Sequence, residues 1–318
     1  MIVLKFIKNH LISSIFVSIA LGILIGSNMD VSWLKNLILP LTFLLVYPML
    51  VTLDFNSLKQ KANYKLQITT QILNFIVFPT LAFGIGYLFF KDQTYLRLGL
   101  LLIGLLPTSG MTISWTVMAK GNIQEAIRMV VIGLLFGAFL TPFYITFFLG
   151  TEIDVPIMDI IIQILIVIFI PLIAAFLTQK FIIKKYGIET FTQKVKPVFP
   201  LFSTFFVVII LFVAMSLKAD LLVRNPSLLF DILLPLILFY FAMFVISIFT
   251  ARILFNRVDG IAMVNGTVIR DLSLSLAIVL STFSDAGVAA LLIALSYVIQ
   301  VQIAAWNVKA TTYLFKAE

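Results

Sequence analysis

Long apolar runs dominate this chain, and short polar connections interrupt them roughly every twenty to thirty residues. A helix needs about twenty residues to cross the hydrocarbon core of a bilayer. Ten runs meet that length, at roughly 10–28, 33–53, 66–90, 95–119, 124–149, 155–180, 197–217, 228–251, 260–283 and 287–313. The pattern predicts an all-α membrane protein of ten transmembrane helices. Pro40, Pro79, Pro142, Pro171, Pro200 and Pro235 fall inside these runs, where neighbouring helices can satisfy the carbonyls that a proline frees.

Two runs carry polar chemistry near their midpoints. The fourth contains Pro107-Thr108-Ser109-Gly110, which interrupts helical hydrogen bonding and bares backbone groups. The ninth contains Arg270 and Asp271, side by side where each charge costs several kcal/mol unless a polar cavity or a partner receives it. Interrupted helices at corresponding depths point to a transporter's binding site.

Composition agrees with the pattern: 62% of the 318 residues are hydrophobic, 11% are charged, and the mean hydropathy is +1.15. The formal charge of +8 comes from lysines and arginines between the apolar runs, so anionic lipid headgroups and not nucleic acid are the expected partners. With no cysteine, disulfides and thiolate metal sites are excluded. Lys5 and Lys8 ahead of an apolar run imitate a signal peptide, yet no clear cleavage site follows, and the run is expected to stay as the first span. The thirty-one phenylalanines are expected to face lipid and fill packing space.

Basic residues set the orientation. Sixteen lysines and arginines fall on the N-terminus, the even-numbered loops and the C-terminus, five fall on the other side, and Arg270 is within a span. The positive-inside rule puts both termini in the cytoplasm of a cell membrane, which requires an even number of spans. Ten spans divide into two sets of five, 1–153 and 154–318, the second entering the membrane inverted. A shift of about 160 residues lays Pro40 on Pro200, Gly104 on Gly266, and one interrupted region on the other.

From the residues, a small organic anion is the expected substrate. A break at Thr108, Ser109 and Gly110 exposes a half-helix N-terminus, whose free N–H groups favour a carboxylate. Arg270 can add a bidentate contact, and Asp271 can carry a proton or help to hold a cation. The alternative is that the two charges lock the crossing through carbonyls and hydroxyls without touching substrate. Gln300 and Gln302, with Ser296, Tyr297 and Asn307, are candidates either for the cavity lining or for interhelical hydrogen bonds; Gln71 and Asn74 carry the same ambiguity. Arg128 lies near an interface, where snorkelling explains it as well as ligand binding. Catalysis is not expected. An intramembrane protease needs two aspartates at depth or a histidine base, and the chain offers Asp271 and, at the start of the first span, His10.

The stretches Gly104-Leu-Leu-Pro-Thr-Ser-Gly-Met111 and Trp115-Thr-Val-Met-Ala-Lys-Gly-Asn122 resemble the fourth and fifth helices of the bile acid:sodium symporter family and its arsenite-efflux relatives. Gly266-Thr-Val-Ile-Arg-Asp-Leu-Ser-Leu-Ser-Leu-Ala-Ile278 and Ala294-Leu-Ser-Tyr-Val-Ile-Gln-Val-Gln-Ile-Ala-Ala-Trp306 are similar to its second signature. The resemblance implies a panel domain of helices one, two, six and seven, a core of three to five and eight to ten, and broken helices four and nine that cross at the substrate site.

Carried over residue by residue, the family's first sodium site keeps the hydroxyl of Thr112 but loses three side-chain oxygens and its carboxylate here. Its hydroxyl–amide pair falls on Thr112 and Ile113, two hydroxyls fall on Ala126 and Val130, and its acid falls on Gly266. The helix-three amide of the second site is present as Asn74, and backbone carbonyls supply the rest of that site, with Asp271 for charge. The arsenite branch's intramembrane cysteine falls on Thr108, and a hydroxyl is a poor ligand for a soft metalloid. The expected function is secondary active transport of a small organic anion by alternating access, coupled to H+ or Na+ and without a cofactor or resident metal. Thr108, Ser109, Gly110, Thr112, Arg270 and Ser273 are the expected substrate contacts, and Asp271, Asn74, Thr112 and Gln300 the coupling residues. The alternatives are arsenite or oxyanion efflux, and a passive channel or sensor.

Overall fold

The computed structural model describes residues 2–54, 61–150, 157–224, 227–283 and 287–314. Among these there is no β-strand, and nearly all are helical. In chain order the main helices are α1 (Ile2–Asn9), α2 (Leu11–Gly26), α3 (Ile38–Val51), α4 (Tyr64–Phe89), α5 (Thr94–Leu105), α6 (Gly110–Met118) and α7 (Ile123–Leu149). Then follow α8 (Ile157–Ile164, continuing through Leu165–Tyr186), α9 (Phe199–Leu217), α10 (Leu228–Leu254), α11 (Arg257–Val268), α12 (Leu272–Thr282) and α13 (Gly287–Leu314). Seven helical segments are long and apolar enough to cross a membrane: Ser32–Val51, Tyr64–Phe89, Ile123–Leu149, Leu165–Tyr186, Phe199–Leu217, Leu228–Leu254 and Gly287–Thr311. The first, fourth and ninth predicted spans are represented by shorter pieces, α2, α5 with α6, and α11 with α12. The proposed boundary between the two halves, 153/154, lies outside the described residues.

The chain groups into two compact units. One comprises residues 1–53, 155–230 and 273–294, the other 54–154, 231–272 and 295–318. In the first unit α9 packs against both α2 and α3. Small residues set the α2 contact: Ser18, Gly22 and Gly26 recur every fourth position, so they share one face. Ser18 Oγ donates to Val208 O at 2.6 Å, and a Cβ on Gly22 or Gly26 would meet Phe212 O at 2.8 Å or Ser216 O at 2.0 Å. The helix backbones therefore touch. Ser203 Oγ donates to Leu45 O at 2.9 Å, and Gln179 Nε2 donates to Leu53 O at 2.9 Å, tying α9 and α8 to the α3 region.

The prolines divide into two kinds. Pro40 and Pro200 lie inside the segments Ser32–Val51 and Phe199–Leu217, as expected, each in the first turn of its α-helix, α3 and α9. Pro142 and Pro235 lie in helix interiors, as does Pro48. Pro79 and Pro171 each follow a π-helical bulge, Leu73–Val77 and Leu165–Phe169. Proline removes the bond to the carbonyl four residues earlier. For Pro79 that carbonyl is Phe75 O, which accepts from the Tyr144 hydroxyl on α7 instead. Phe147, Phe230, Phe249 and Leu88 are exposed, giving helices of both units apolar outer faces suited to lipid chains.

Candidate functional site

Both interruptions lie in the second unit, and they meet. Pro107 forces the residue before it out of the α region, and Leu106 accordingly has φ −94°, ψ 87° and ends α5. Thr108 follows in the left-handed region at φ 59°, an unfavourable place for a β-branched residue. Its hydroxyl donates to Pro107 O at 2.7 Å. Ser109 is extended and caps α6 through a reciprocal box with Thr112: Met111 N donates to Ser109 Oγ and Ser109 N donates to Thr112 Oγ1, each at 3.2 Å. In the other interruption Ile269 is extended and ends α11 with no proline or glycine to impose it. The cause is pairing: Thr108 N donates to Ile269 O and Asp271 N to Leu106 O, both at 2.9 Å, and Pro107 and Arg270 form an antiparallel bridge.

Helix α7 cradles this crossing. A Cβ on Gly133 would stand 2.6 Å from Thr108 Oγ1, and one on Gly137 would stand 3.3 Å from Leu106 Cδ2. The absence of side chains at these two positions lets the broken backbone lie directly on the helix. Gly104 does the same for α4, with a virtual Cβ 2.7 Å from Ala82 Cβ.

Arg270 is fully buried and makes four side-chain hydrogen bonds. Nε donates to Ile103 O at 2.8 Å, Nη1 to Asn74 Oδ1 at 2.7 Å and to Thr267 O at 2.9 Å, and Nη2 to Gly104 O. Ile103 and Gly104 belong to the last turn of α5, and Thr267 to the last turn of α11. Such turns expose unsatisfied carbonyls and a partial negative charge, so one guanidinium neutralises two helix ends. Its carbon lies 5.9 Å from the Phe78 ring centroid. Gln300 imitates a strand on the other side, accepting Arg270 N–H at 2.8 Å through Oε1 and donating to Arg270 O at 3.2 Å through Nε2. Tyr240 OH also donates to Gln300 Oε1, at 3.1 Å. Asn74, held by Arg270, donates to Gly266 O at 3.0 Å. In this arrangement the Arg270 side chain is engaged with protein acceptors.

The structure thus brings Thr108, Ser109, Thr112, Asn74, Arg270, Asp271 and Gln300 together, all buried. Asp271 occupies the residue directly before α12, where a carboxylate complements the free N–H groups of a helix start. Gly110 opens α6 and is half-buried, with nothing within 4 Å of a virtual Cβ, so the backbone there borders open space. Ser273 lies in the first turn of α12, half-buried, and belongs to the first unit.

A second polar centre went unread in the sequence. Asn63, Asn122 and Asn256 cap α4, α7 and α11, each accepting from the N–H three residues on. Asp259 receives Asn63 Nδ2 at 2.9 Å and Asn122 Nδ2 at 2.8 Å. Glu125 receives Arg128, Gln67 Nε2 at 2.6 Å and Asn63 N at 3.0 Å. Arg128 is itself buried and donates to Lys61 O at 2.9 Å, so it ties α7 to the segment leading into α4 and is not a snorkelling residue. The spacing Asn-x-x-acid, in Asn122–Glu125 and Asn256–Asp259, was the available signal.

The model of the Sodium Bile acid symporter family matches residues 39–225, well over half of the chain. The chain belongs to that family. It is therefore a multi-pass integral membrane protein of a transporter family. An arsenical-resistance protein Acr3 of Corynebacterium glutamicum is 27% identical over 275 residues, covering 79% of this chain and 73% of that protein. The Acr3 of Alkaliphilus metalliredigens is 26% identical, covering 65% and 61%, so the chain spans less than two thirds of that relative's length. An uncharacterised transporter of Synechocystis is 25% identical, covering 73% and 68%. Within this symporter-family fold, Ala126 and Val130 are buried apolar residues of α7 that offer no side-chain oxygen.

Proposed function

We propose that this symporter-family protein is a secondary active transporter that moves a small organic anion by alternating access. The observation that carries the reading is the backbone pairing of Leu106–Thr108 with Ile269–Asp271, which turns two interrupted helices into one crossing. At such a crossing half-helix N-termini favour anionic groups and half-helix C-termini favour cations. Thr108, Ser109, Gly110 and Thr112 of the second unit are the proposed substrate contacts, with open space beside Gly110 as the approach. Arg270 holds the crossing in the present arrangement and reaches substrate only by releasing part of its bonding. Asp271 is the proposed coupling group, for H+ or Na+, with Asn74, Thr112 and Gln300 around it.

The reading extends to the whole chain as ten spans in an inverted five-plus-five repeat, with the halves 1–153 and 154–318 and both termini in the cytoplasm of the cell membrane. Three observations support it: the two interruptions, the first-turn prolines Pro40 and Pro200, and the grouping of spans one, two, six and seven in one compact unit, which also takes in residues 273–294 of spans nine and ten.

The arsenical-resistance relatives favour a second reading, efflux of arsenite or another oxyanion. With no cysteine in the chain, hydroxyls such as Thr108 would have to hold the metalloid as a hydrogen-bonded hydroxide.

Uptake into proteoliposomes of the purified chain tests both, using a panel of small labelled carboxylates and arsenite under imposed H+ or Na+ gradients. Accumulation of a carboxylate against its gradient is expected. Downhill flux alone would mean a channel, and accumulation of arsenite alone would mean the second reading. Asp271→Asn keeps an N-capping side chain but removes the charge, so it is expected to abolish coupled uptake while the melting temperature holds.

A further inference from the structure

Helix C-termini and unwound carbonyls at a broken-helix crossing are where transporters of this architecture hold a coupling cation. Here that position is already filled. Ile103 O, Gly104 O and Thr267 O, from the ends of α5 and α11, converge with Asn74 Oδ1 from the π-bulge of α4. All four are neutral oxygens, the ligand type that a hard monovalent cation takes. The charge at their centre is the guanidinium of Arg270, which is 0% exposed and fixed from behind by Gln300 on its own backbone N–H and C=O.

We propose that Arg270 is a tethered cation standing in for the sodium ion, so that this protein works without sodium. The inference rests on the transporter reading, and it narrows the coupling ion to H+ or to none. A covalently attached charge cannot leave with the substrate, whatever the salt outside. It therefore stabilises the crossing but conveys no energy from a sodium gradient. The cradle oxygens are not free for an added sodium ion: that of Asn74 is engaged by Arg270 at 2.7 Å, and Ala126 and Val130 on α7 offer none.

The test is a comparison of the purified full chain with Arg270→Ala and Arg270→Lys, by melting temperature in detergent and by uptake in proteoliposomes. Each is measured in NaCl, in choline chloride of equal ionic strength, and in choline chloride with millimolar guanidinium. For the parent chain, replacing sodium by choline is expected to leave melting temperature and uptake unchanged. Arg270→Ala leaves the oxygens facing a void; it is expected to melt well below the parent in choline and to recover by about 5 °C or more, saturably, in NaCl or guanidinium. Arg270→Lys keeps an attached cation and is expected to ignore sodium.

A saturable sodium dependence in the parent chain would overturn the proposal. So would an Arg270→Ala protein that folds yet responds to neither ion. If Arg270→Ala does not fold, the parent and Arg270→Lys still decide the matter, since sodium dependence acquired by Arg270→Lys would also overturn it. Should no labelled solute be taken up, the transporter reading falls while the melting comparison still reports on the cradle.

Discussion

At the scale of single residues, this protein places its most expensive side chain where backbone polarity is least satisfied. A buried charge is tolerated when its hydrogen bonds are complete, and Arg270 meets that condition almost entirely with carbonyls. This explains what was legible. Arg270 and Asp271 stand out in the sequence because nothing around them is charged, but a carbonyl carries no mark in the sequence, so their partners could not be read. Gln300 stood out only as one polar residue among several on the last span. Its two bonds to the Arg270 backbone make a sharp expectation. Gln300→Leu leaves a buried N–H and a buried C=O unpaired, at roughly 1–3 kcal/mol each, and the melting temperature of the purified protein should fall accordingly. Gln302→Leu, at an exposed position of the same helix, is the control and should change nothing. The Glu125–Arg128 pair makes a second. Both side chains are buried, and removing one partner of such a pair costs about 3–5 kcal/mol. Arg128→Met should therefore be more damaging than Glu125→Gln and Arg128→Met together, a sign that a double-mutant melting series would read directly.

At the scale of elements, the ten apolar runs identified where helices form, and the two interruptions separate by cause. Pro107 dictates the first, so Pro-Thr-Ser-Gly could be read directly. Nothing local dictates the second, since Val268-Ile269-Arg270 has ordinary helical potential; its extended backbone comes from pairing with residues more than 160 positions earlier. The charges located that interruption, not its backbone chemistry. Close helix approach was equally hidden, because the Ser18–Gly22–Gly26 stripe looks like unremarkable apolar filler until α9 is placed against it. Glycine substitutions distinguish contact from open space. Gly26→Ala drives a Cβ to 2.0 Å from Ser216 O and should separate α2 from α9, lowering the melting temperature by several degrees. Gly84→Ala, with nothing within 4 Å, should be neutral or gain up to about 1 kcal/mol in helix propensity. Gly110→Ala shares that freedom. If the space beside Gly110 admits substrate, this variant should fold normally and still lose uptake.

At the scale of the molecule, the apolar outer faces and the family together require a membrane, while the direction of insertion rests on charge alone. Sixteen basic residues against five is a bias that the positive-inside rule translates into cytoplasmic termini, and ten spans preserve it only if the short helices α2, α5 with α6, and α11 with α12 all cross. An odd number of crossings would place the lysine-rich 180–196 connection and the N-terminus on opposite sides. Because the chain contains no cysteine, single cysteines report topology with no background to remove. Lys91→Cys replaces an exposed lysine between α4 and α5, and Lys184→Cys an exposed lysine in the last turn of α8. In intact cells an impermeant maleimide should label the cysteine at position 91 and spare the one at 184 until the membrane is opened. The reverse pattern would invert the molecule. Labelling of both from outside would mean that an even number of spans lies between positions 91 and 184, where the ten-span reading has three, and the proposed inverted repeat would have no basis.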